Sequence, residues 1–523
     1  MEKEYAVIVK RGINLQDVDT ELAASTGAGP IPDRTVDIAN PRLGSRRMTH
    51  WMLTDDEAEN LRNDPRIMAV EIPPDQRDDI TIGIKASQAG EFERSNVGQS
   101  TVNWGLRRCI DVNNNFNSIT GSITGNYNYA LDGSGVDIVV QDSGIQADHP
   151  EFNDYNGNSR VQQIDWYTAS GLPGTQNTNF YRDRDGHGTH VAGIATALTY
   201  GWAKGSRVYA QKLEGLETLQ GSDGTGIPIA DAFDSIRLWH ISKGGSRPTI
   251  VNMSWGYLSQ VSGNPTNGIY RGTPWTFTPG DNLFELYGLP GSIYNGNTRY
   301  PAQVSVVDAE IEDMIDAGIH ICIAAGNDFY KADVVGGVDY NNTVVHNGST
   351  FTYHRPGSPY SDAAFFVGNI DNITNSGIDR PAASSKKGPA VNIWAPGSAI
   401  ISTASNLNDI EYDPVTFTYP SNSDYNVMNI GGTSMSSPQV AGLLALYLQS
   451  QPSLSPENLF KKIINDSSEV ISNTGLDDDY SANTTSLMGS SNRLLYSRYG
   501  IVNTSSITGA LSLNNVRLSI STT

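Results

Sequence analysis

The sequence predicts an α/β protein, a doubly wound parallel sheet preceded by a small ferredoxin-like α+β domain. Three observations carry this. From about residue 130, buried-strand runs alternate with segments of helical spacing, the pattern of parallel strands joined by crossover helices. Residues 1–75 read strand-helix-strand-strand-helix-strand, which is the ferredoxin-like order. A chain of 523 residues, 38% hydrophobic and 17% charged, can bury a sizeable core.

In the first unit, residues 5–9 form a strand and 15–25 a helix, with extended stretches at 35–38 and 48–53. Thr54 caps a helix over 55–63: its hydroxyl accepts orphan amide hydrogens, while Asp55, Asp56 and Glu57 suit the positive helix end. Pro65 forces an exit, and residues 67–72 are the last strand. Pro73-Pro74 and the mixed charges Arg77-Asp78-Asp79 then introduce an exposed linker over 76–100.

The large domain spans 101–470. Residues 135–140, 208–213 and 250–253 are buried strands; 230–241 and 306–317 are helices. Two polar stretches rich in Gly, Pro and aromatics, 257–304 and 329–357, interrupt the pattern. Their aromatics (Tyr257, Tyr270, Trp275, Phe277, Phe284, Tyr287) read as loop packing rather than ligand contacts. Residues 471–523 form a weakly patterned C-terminal extension with some β character.

Composition excludes several function classes. With 35 basic and 56 acidic residues the net charge is −21, so a broad basic face for nucleic acid is not expected. No apolar run reaches the ~18–20 residues of a membrane span. The opening Met1-Glu2-Lys3-Glu4-Tyr5 leads directly into a strand and carries no secretory leader; cytoplasm, virion and leaderless export all stay open. Two cysteines, Cys109 and Cys322, rule out a disulfide framework or a zinc cluster.

Three segments carry chemistry. Val140-Gln141-Asp142-Ser143-Gly144 places an aspartate at the carboxyl end of a buried strand, where doubly wound sheets collect catalytic groups. Gly186-His187-Gly188-Thr189-His190 opens a helix with a histidine. Gly432-Thr433-Ser434-Met435-Ser436-Ser437-Pro438 sets a serine at a helix N-terminus, whose free amides and dipole stabilise anions. Aspartate, histidine and serine are the parts of a nucleophilic triad: His187 accepts the Ser434 proton, and Asp142 fixes the imidazole tautomer and stabilises its cation.

These segments resemble the Asp, His and Ser signatures of the subtilisin-like serine proteases (subtilases), in the same chain order. Ala324-Ala325-Gly326-Asn327 resembles the family's oxyanion segment, which implies that Asn327 donates to the tetrahedral oxyanion opposite the Ser434 amide. Asn252-Met253-Ser254-Trp255-Gly256 resembles the strand that pairs with substrate backbone. The resemblance implies that Ser254, Trp255 and Gly256, with Ala324, Ala325 and Gly326, wall the first specificity pocket. Residues 54–71 look like the end of the inhibitory propeptide such proteases carry, so the fold expected is subtilisin-like and the first unit an inhibitor-like propeptide domain.

Other features have plainer readings. His190 is expected to pack, His149 to sit in a turn, and Asp185 to be a helix-opening carboxylate. The run Asp477-Asp478-Asp479 reads as a solvated acidic turn, with calcium as the rival reading; the family often holds structural calcium, for which no ligand set maps here. Gln439 replaces a histidine common among relatives, away from the catalytic positions. Trp255 stands where many bacterial relatives have leucine, and its ring is expected to reshape the pockets.

The reading is therefore a serine endopeptidase that needs no cofactor for its chemistry. It acts on peptide or protein substrates, is made as a zymogen and is cut within 73–100. The rival is a subtilase-fold structural or binding component of a larger assembly that has lost turnover.

Overall fold

The computed structural model describes residues 1–84, 93–94, 103–114, 128–177, 179, 181–216, 226–291, 297–371, 378–406, 416–474, 480 and 486–501. Residues 477–479, singled out for calcium, lie outside them.

The first unit contains β1 (Lys3–Val9), α1 (Leu15–Ala24), β2 (Ile38–Asn40), β3 (Met48–Leu53), α2 (Asp55–Arg62) and β4 (Ile67–Glu71). Its four-stranded sheet has the order β2-β3-β1-β4. Thr54 caps α2 as the sequence predicts: Glu57 N–H donates to the Thr54 hydroxyl, and Thr54 N–H to the Glu57 carboxylate. Val7, Val18, Leu22, Trp51 and Leu61 anchor a core separate from the main one.

Of the linker expected over 76–100, Gln76, Asp78, Asp79 and Thr81 are exposed as predicted, but Ile80 is buried and β5 (Thr81–Ile84) is a strand. No local pattern announces β5, because its partner comes about 170 positions later.

The large domain is built on seven strands: β6 (Asp137–Asp142), β7 (Val161–Gln162), β8 (Arg207–Lys212), β9 (Thr249–Met253), β14 (His320–Ala324), β17 (Phe365–Ile370) and β18 (Ile393–Pro396). Their order is β18-β17-β14-β9-β6-β8-β7, and every neighbouring pair is parallel. Ile138, Val139, Val140, Ile250, Val251 and Ile323 are buried in it, as expected for strands covered on both faces.

The covering helices include α3 (His187–Thr196), α4 (Ile229–Ser242), α5 (Ser305–Asp316), α6 (Thr433–Ser450) and α7 (Pro456–Asp466). Glycine sets two close approaches. A Cβ at Gly188 of α3 would lie 2.2 Å from the Gly144 carbonyl oxygen, and one at Gly442 of α6 would lie 2.7 Å from that of Ala195. Side chains there would push α3 away from the Asp142 loop and from α6.

The two insertions fold on each other. β10 (Trp255–Ser262) continues out of the domain and pairs with β13 (Asn297–Pro301). A second sheet joins β11 (Asn267–Tyr270), β12 (Thr273–Thr276), β15 (Thr343–His346) and β16 (Ser349–Thr352). Between them lies an aromatic core of Trp275, Tyr300, Tyr330 and Tyr353, with Trp275 stacked on Tyr287 at 4.5 Å. Asp339, fully buried, is gripped by Arg271 at 2.7 Å and Lys331 at 2.8 Å, and both cations hold its carboxyl well below the ordinary carboxylate range. Trp275, Tyr270, Phe277 and Tyr287 of the insertions thus pack in this core, the reading given them above.

Beyond residue 470, Ile471, Leu487, Leu494 and Leu495 join the main core. Among the described residues no helix is long and apolar enough to cross a membrane.

One turn follows from a tethered cation. The Lys204 ammonium donates to the carbonyls of Leu198 and Gly201, each at 2.6 Å, just beyond α3. Burial draws its pKa down to about 7, a pull that the carbonyl oxygens around it oppose.

Candidate active site

The parallel sheet delivers the site at its carboxyl edge. Asp142 is the last residue of β6, and His187 the first of α3. The His187 Nδ1 lies 2.8 Å from Asp142 Oδ1, and the same oxygen accepts the Ser143 N–H at 2.8 Å. Both side chains are buried from solvent.

Ser434 lies in the first turn of α6, where its N–H has no acceptor within the helix. Four residues on, Pro438 has no N–H to give to the Ser434 carbonyl. That carbonyl instead accepts the Ser254 hydroxyl at 3.1 Å, and the Ser434 hydroxyl donates to the Ser254 carbonyl at 3.1 Å. The serine helix and the start of β10 are thus fastened through both groups of each serine.

Asn327 follows β14. Its Oδ1 accepts the Thr433 N–H at 2.8 Å, which fixes the amide flip and turns Nδ2 away from that bond. The Thr433 hydroxyl in turn accepts the Gly326 N–H at 3.0 Å. Asn327 and the Ser434 amide therefore share one scaffold. The residues Ala324, Ala325 and Gly326 lead into it, and Lys386 beside Gly326 pairs with Asp328 at 3.2 Å.

With β5 lying on its strand, the Trp255 ring is fully buried, 6.3 Å from Phe233 and 5.9 Å from Tyr257. The main chain of the strand does the pairing. β5 lies antiparallel on this strand, with Ile84 opposite Trp255, Gly83 opposite Gly256 and Ile82 opposite Tyr257. Farther along the chain, Glu93 and Arg94 pair with Gly431 and Ile430 of β19 (Asn426–Gly431), just before Ser434. One stretch thus pairs beside Ser254, which is bonded to Ser434, and the other beside Gly431, three residues before Ser434.

Sequence reasoning missed Asp183. Its buried carboxylate accepts the Ser143 hydroxyl at 2.9 Å, the Gly186 N–H at 2.8 Å, and the Thr189 N–H and hydroxyl at 2.7 and 2.5 Å. It ties the loop after Asp142 to the first turn of α3, against burial that raises its pKa. The spacing Asp183 to Thr189 was the available signal, masked by Asp185 next to Gly186. Asp185 itself accepts the His187 N–H at 3.2 Å, the helix-opening role. His190 turns Nε2 to the carbonyls of Ile400 and Met428 at 3.1 and 3.0 Å, and burial pushes it down to about 3; it packs.

The first unit docks beside this site through charge. Glu71, at the end of β4, accepts the Val306 N–H at 2.7 Å and so caps α5, whose own N-cap residue, Val304, supplies no side-chain bond. Arg42 is buried across the boundary, its Nη2 3.0 Å from Glu310 and 3.2 Å from Asp234. Arg47 reaches Asp313 at 3.3 Å. Among the described residues no group of three or more His, Cys, Asp or Glu side chains is placed to hold a metal ion.

Residues 133–492 match the profile of the subtilase family, peptidase S8. The chain is 25% identical over 410 residues to the extracellular serine proteinase of Thermus sp. strain Rt41A, covering 78% of this chain and 68% of that one. It is 26% identical over 419 residues to the subtilisin-like serine protease Pen c 2 of Penicillium citrinum, covering 78% and 70%. Among solved structures it is similar in fold to fervidolysin from Fervidobacterium pennivorans, a keratinolytic enzyme related to subtilisin. That likeness has a TM-score of 0.50 at 16% identity, over 95% of this chain and 60% of the other.

Proposed function

The chain belongs to the subtilase family of serine endopeptidases, and on that premise we propose that it cuts peptide bonds with Ser434, His187 and Asp142 and is made as a self-processed zymogen. Ser434 Oγ attacks the scissile carbonyl while His187 takes its proton, later passing it to the leaving amine. Asp142 holds the imidazole through Nδ1 and stabilises its cation. The Ser434 N–H and the Asn327 side-chain amide receive the oxyanion. The single observation that carries this is the 2.8 Å His187–Asp142 pair at one end of the scaffold that fastens Ser434 to the Ser254 strand.

Residues 1–75 are read as an inhibitory propeptide. What supports this is their position: they dock through Glu71 and Arg42, and the chain beyond them lies on the strand that resembles the family's substrate strand. Since residue 84 pairs beside Ser254 and residue 93 with Gly431, the self-cut is expected between them, a narrower window than 73–100.

The test is intact mass of wild type and Ser434→Ala, each with and without a fluorophosphonate. Wild type should take up one probe and yield an N-terminal fragment ending between residues 84 and 92, with Ser434→Ala whole and unlabelled. A cut outside that window would overturn the processing site alone. No labelling of wild type, nor of a chain beginning at residue 93, would overturn the triad assignment.

A further inference from the structure

β10 is eight residues long, but β5 is ladder-paired only to its first four, through Leu258 opposite Thr81. The chain before β5 keeps following the strand. The Asp79 carbonyl accepts the Ser259 hydroxyl at 2.9 Å, and residues 77–79 run beside Ser259, Gln260 and Val261. They do so along about 450 Å³ of open space, bounded on its far side by Asn347, Thr350 and their neighbours in the second insertion.

The main chain of β10 keeps offering bonds there. Tyr257 gives its N–H to Ser358 and its C=O to Ala302, both on the β13 side. Main-chain groups alternate along a strand, so three residues later Gln260 turns its N–H and C=O to the opposite edge, the one β5 occupies. The groove closes where the Ser262 carbonyl meets His346 and Asn347, each at 3.0 Å. Its enzyme-side walls carry hydroxyls and amides and no Asp, Glu, Lys or Arg. Of the pro-segment's charges there, Arg77 pairs with Asp79 at 2.7 Å, and Asp78 leaves it one net negative charge.

We infer that this groove is an extended substrate site, built by the insertions, that binds the main chain of a long extended polypeptide well upstream of the cut. It rests on the peptidase reading above. The groove reads backbone rather than charge, so the favoured substrates are unfolded or loosely folded chains, and short peptides are cut poorly. An unpaired strand edge is a template for adding another strand.

The probes are two internally quenched peptides that reproduce residues 81–92 and 77–92 of this chain, assayed with self-processed wild type and Gln260→Pro. A proline at 260 deletes an N–H facing the groove and leaves the β13 ladder its bonds. Two or three added main-chain bonds predict about a ten-fold higher kcat/KM for the longer peptide. Gln260→Pro should erase that advantage while cutting the shorter peptide at the wild-type rate.

Equal kcat/KM for both peptides in a fluorophosphonate-reactive wild type would overturn the groove and leave the triad standing. So would a Gln260→Pro that keeps the ten-fold ratio, or one that slows both peptides alike. A protein that takes no probe and cuts neither peptide would sink both readings.

Discussion

Arg42 should control how firmly the first unit is held. In a Ser434→Ala chain, which keeps that unit attached, Arg42→Ala strips the guanidinium from Glu310 and Asp234, both almost fully buried. Removing one partner of a buried pair costs about 3–5 kcal/mol, because the partner's charge stays behind uncompensated. Asp234 still has Arg237 at 2.8 Å, so the charge left alone is that of Glu310. The lower end, about 3 kcal/mol, is therefore expected, equivalent to about 100-fold in the docking equilibrium.

Glu310 can shed part of this by taking a proton, since burial pushes its carboxyl up to about 8 even beside Arg42. The loss should thus be greatest near pH 9 and smaller near pH 6. The readout is hydrogen exchange at the Val306 amide, which Glu71 covers across the same boundary; it should speed up about 100-fold. Adding Glu310→Gln to Arg42→Ala should recover most of the loss. Exchange within a factor of three of the parent, or a double variant as loose as the single, would refute the reasoning.

Three further outcomes are expected of the same fold. Asn327→Ala should lower kcat by about 10²–10³ with little change in KM, the size measured for the equivalent donor in subtilisin itself. Glu310 has a folded pKa of about 8 against an ordinary 4.5; the stability it contributes is complete below the ordinary value and lost as pH rises through 8. Melting of the Ser434→Ala chain should show a decline between pH 5 and 8 that Glu310→Gln flattens. Asp183→Asn turns a carboxylate that receives two N–H groups into a side chain that can present hydrogens to them. It should cost about 3 kcal/mol in denaturant unfolding and lower kcat through the loosened His187.

The candidates proposed as the triad were legible because each stands among small residues and at a helix or strand end within a few positions; Gly188, for one, leaves no room for a side chain. The cap at Thr54 and the buried strands over 135–140, 208–213 and 250–253 were legible for the same local reason; those at Val161–Gln162, Phe365–Ile370 and Ile393–Pro396 were not read from the sequence. What escaped was long-range. β5 has four unremarkable residues, Thr81, Ile82, Gly83 and Ile84, and becomes a strand because the Trp255 edge stands open to it. Asp183 was overshadowed by Asp185, and only the folded loop reveals that four donors converge on the first of them.

Lys204 has a consequence for the ionic needs of the protein. The turn after α3 gathers main-chain oxygens around a positive charge, the arrangement by which backbones commonly trap a free ion. Here the charge arrives on a side chain of the same fold. The side chain is covalently held, so neither dilution nor a chelator can strip it from this turn; only loss of its proton, with burial drawing the pKa down to about 7, removes the charge. The helix that carries His187 is thereby secured at its far end by a charge that answers to pH and not to the supply of a free ion.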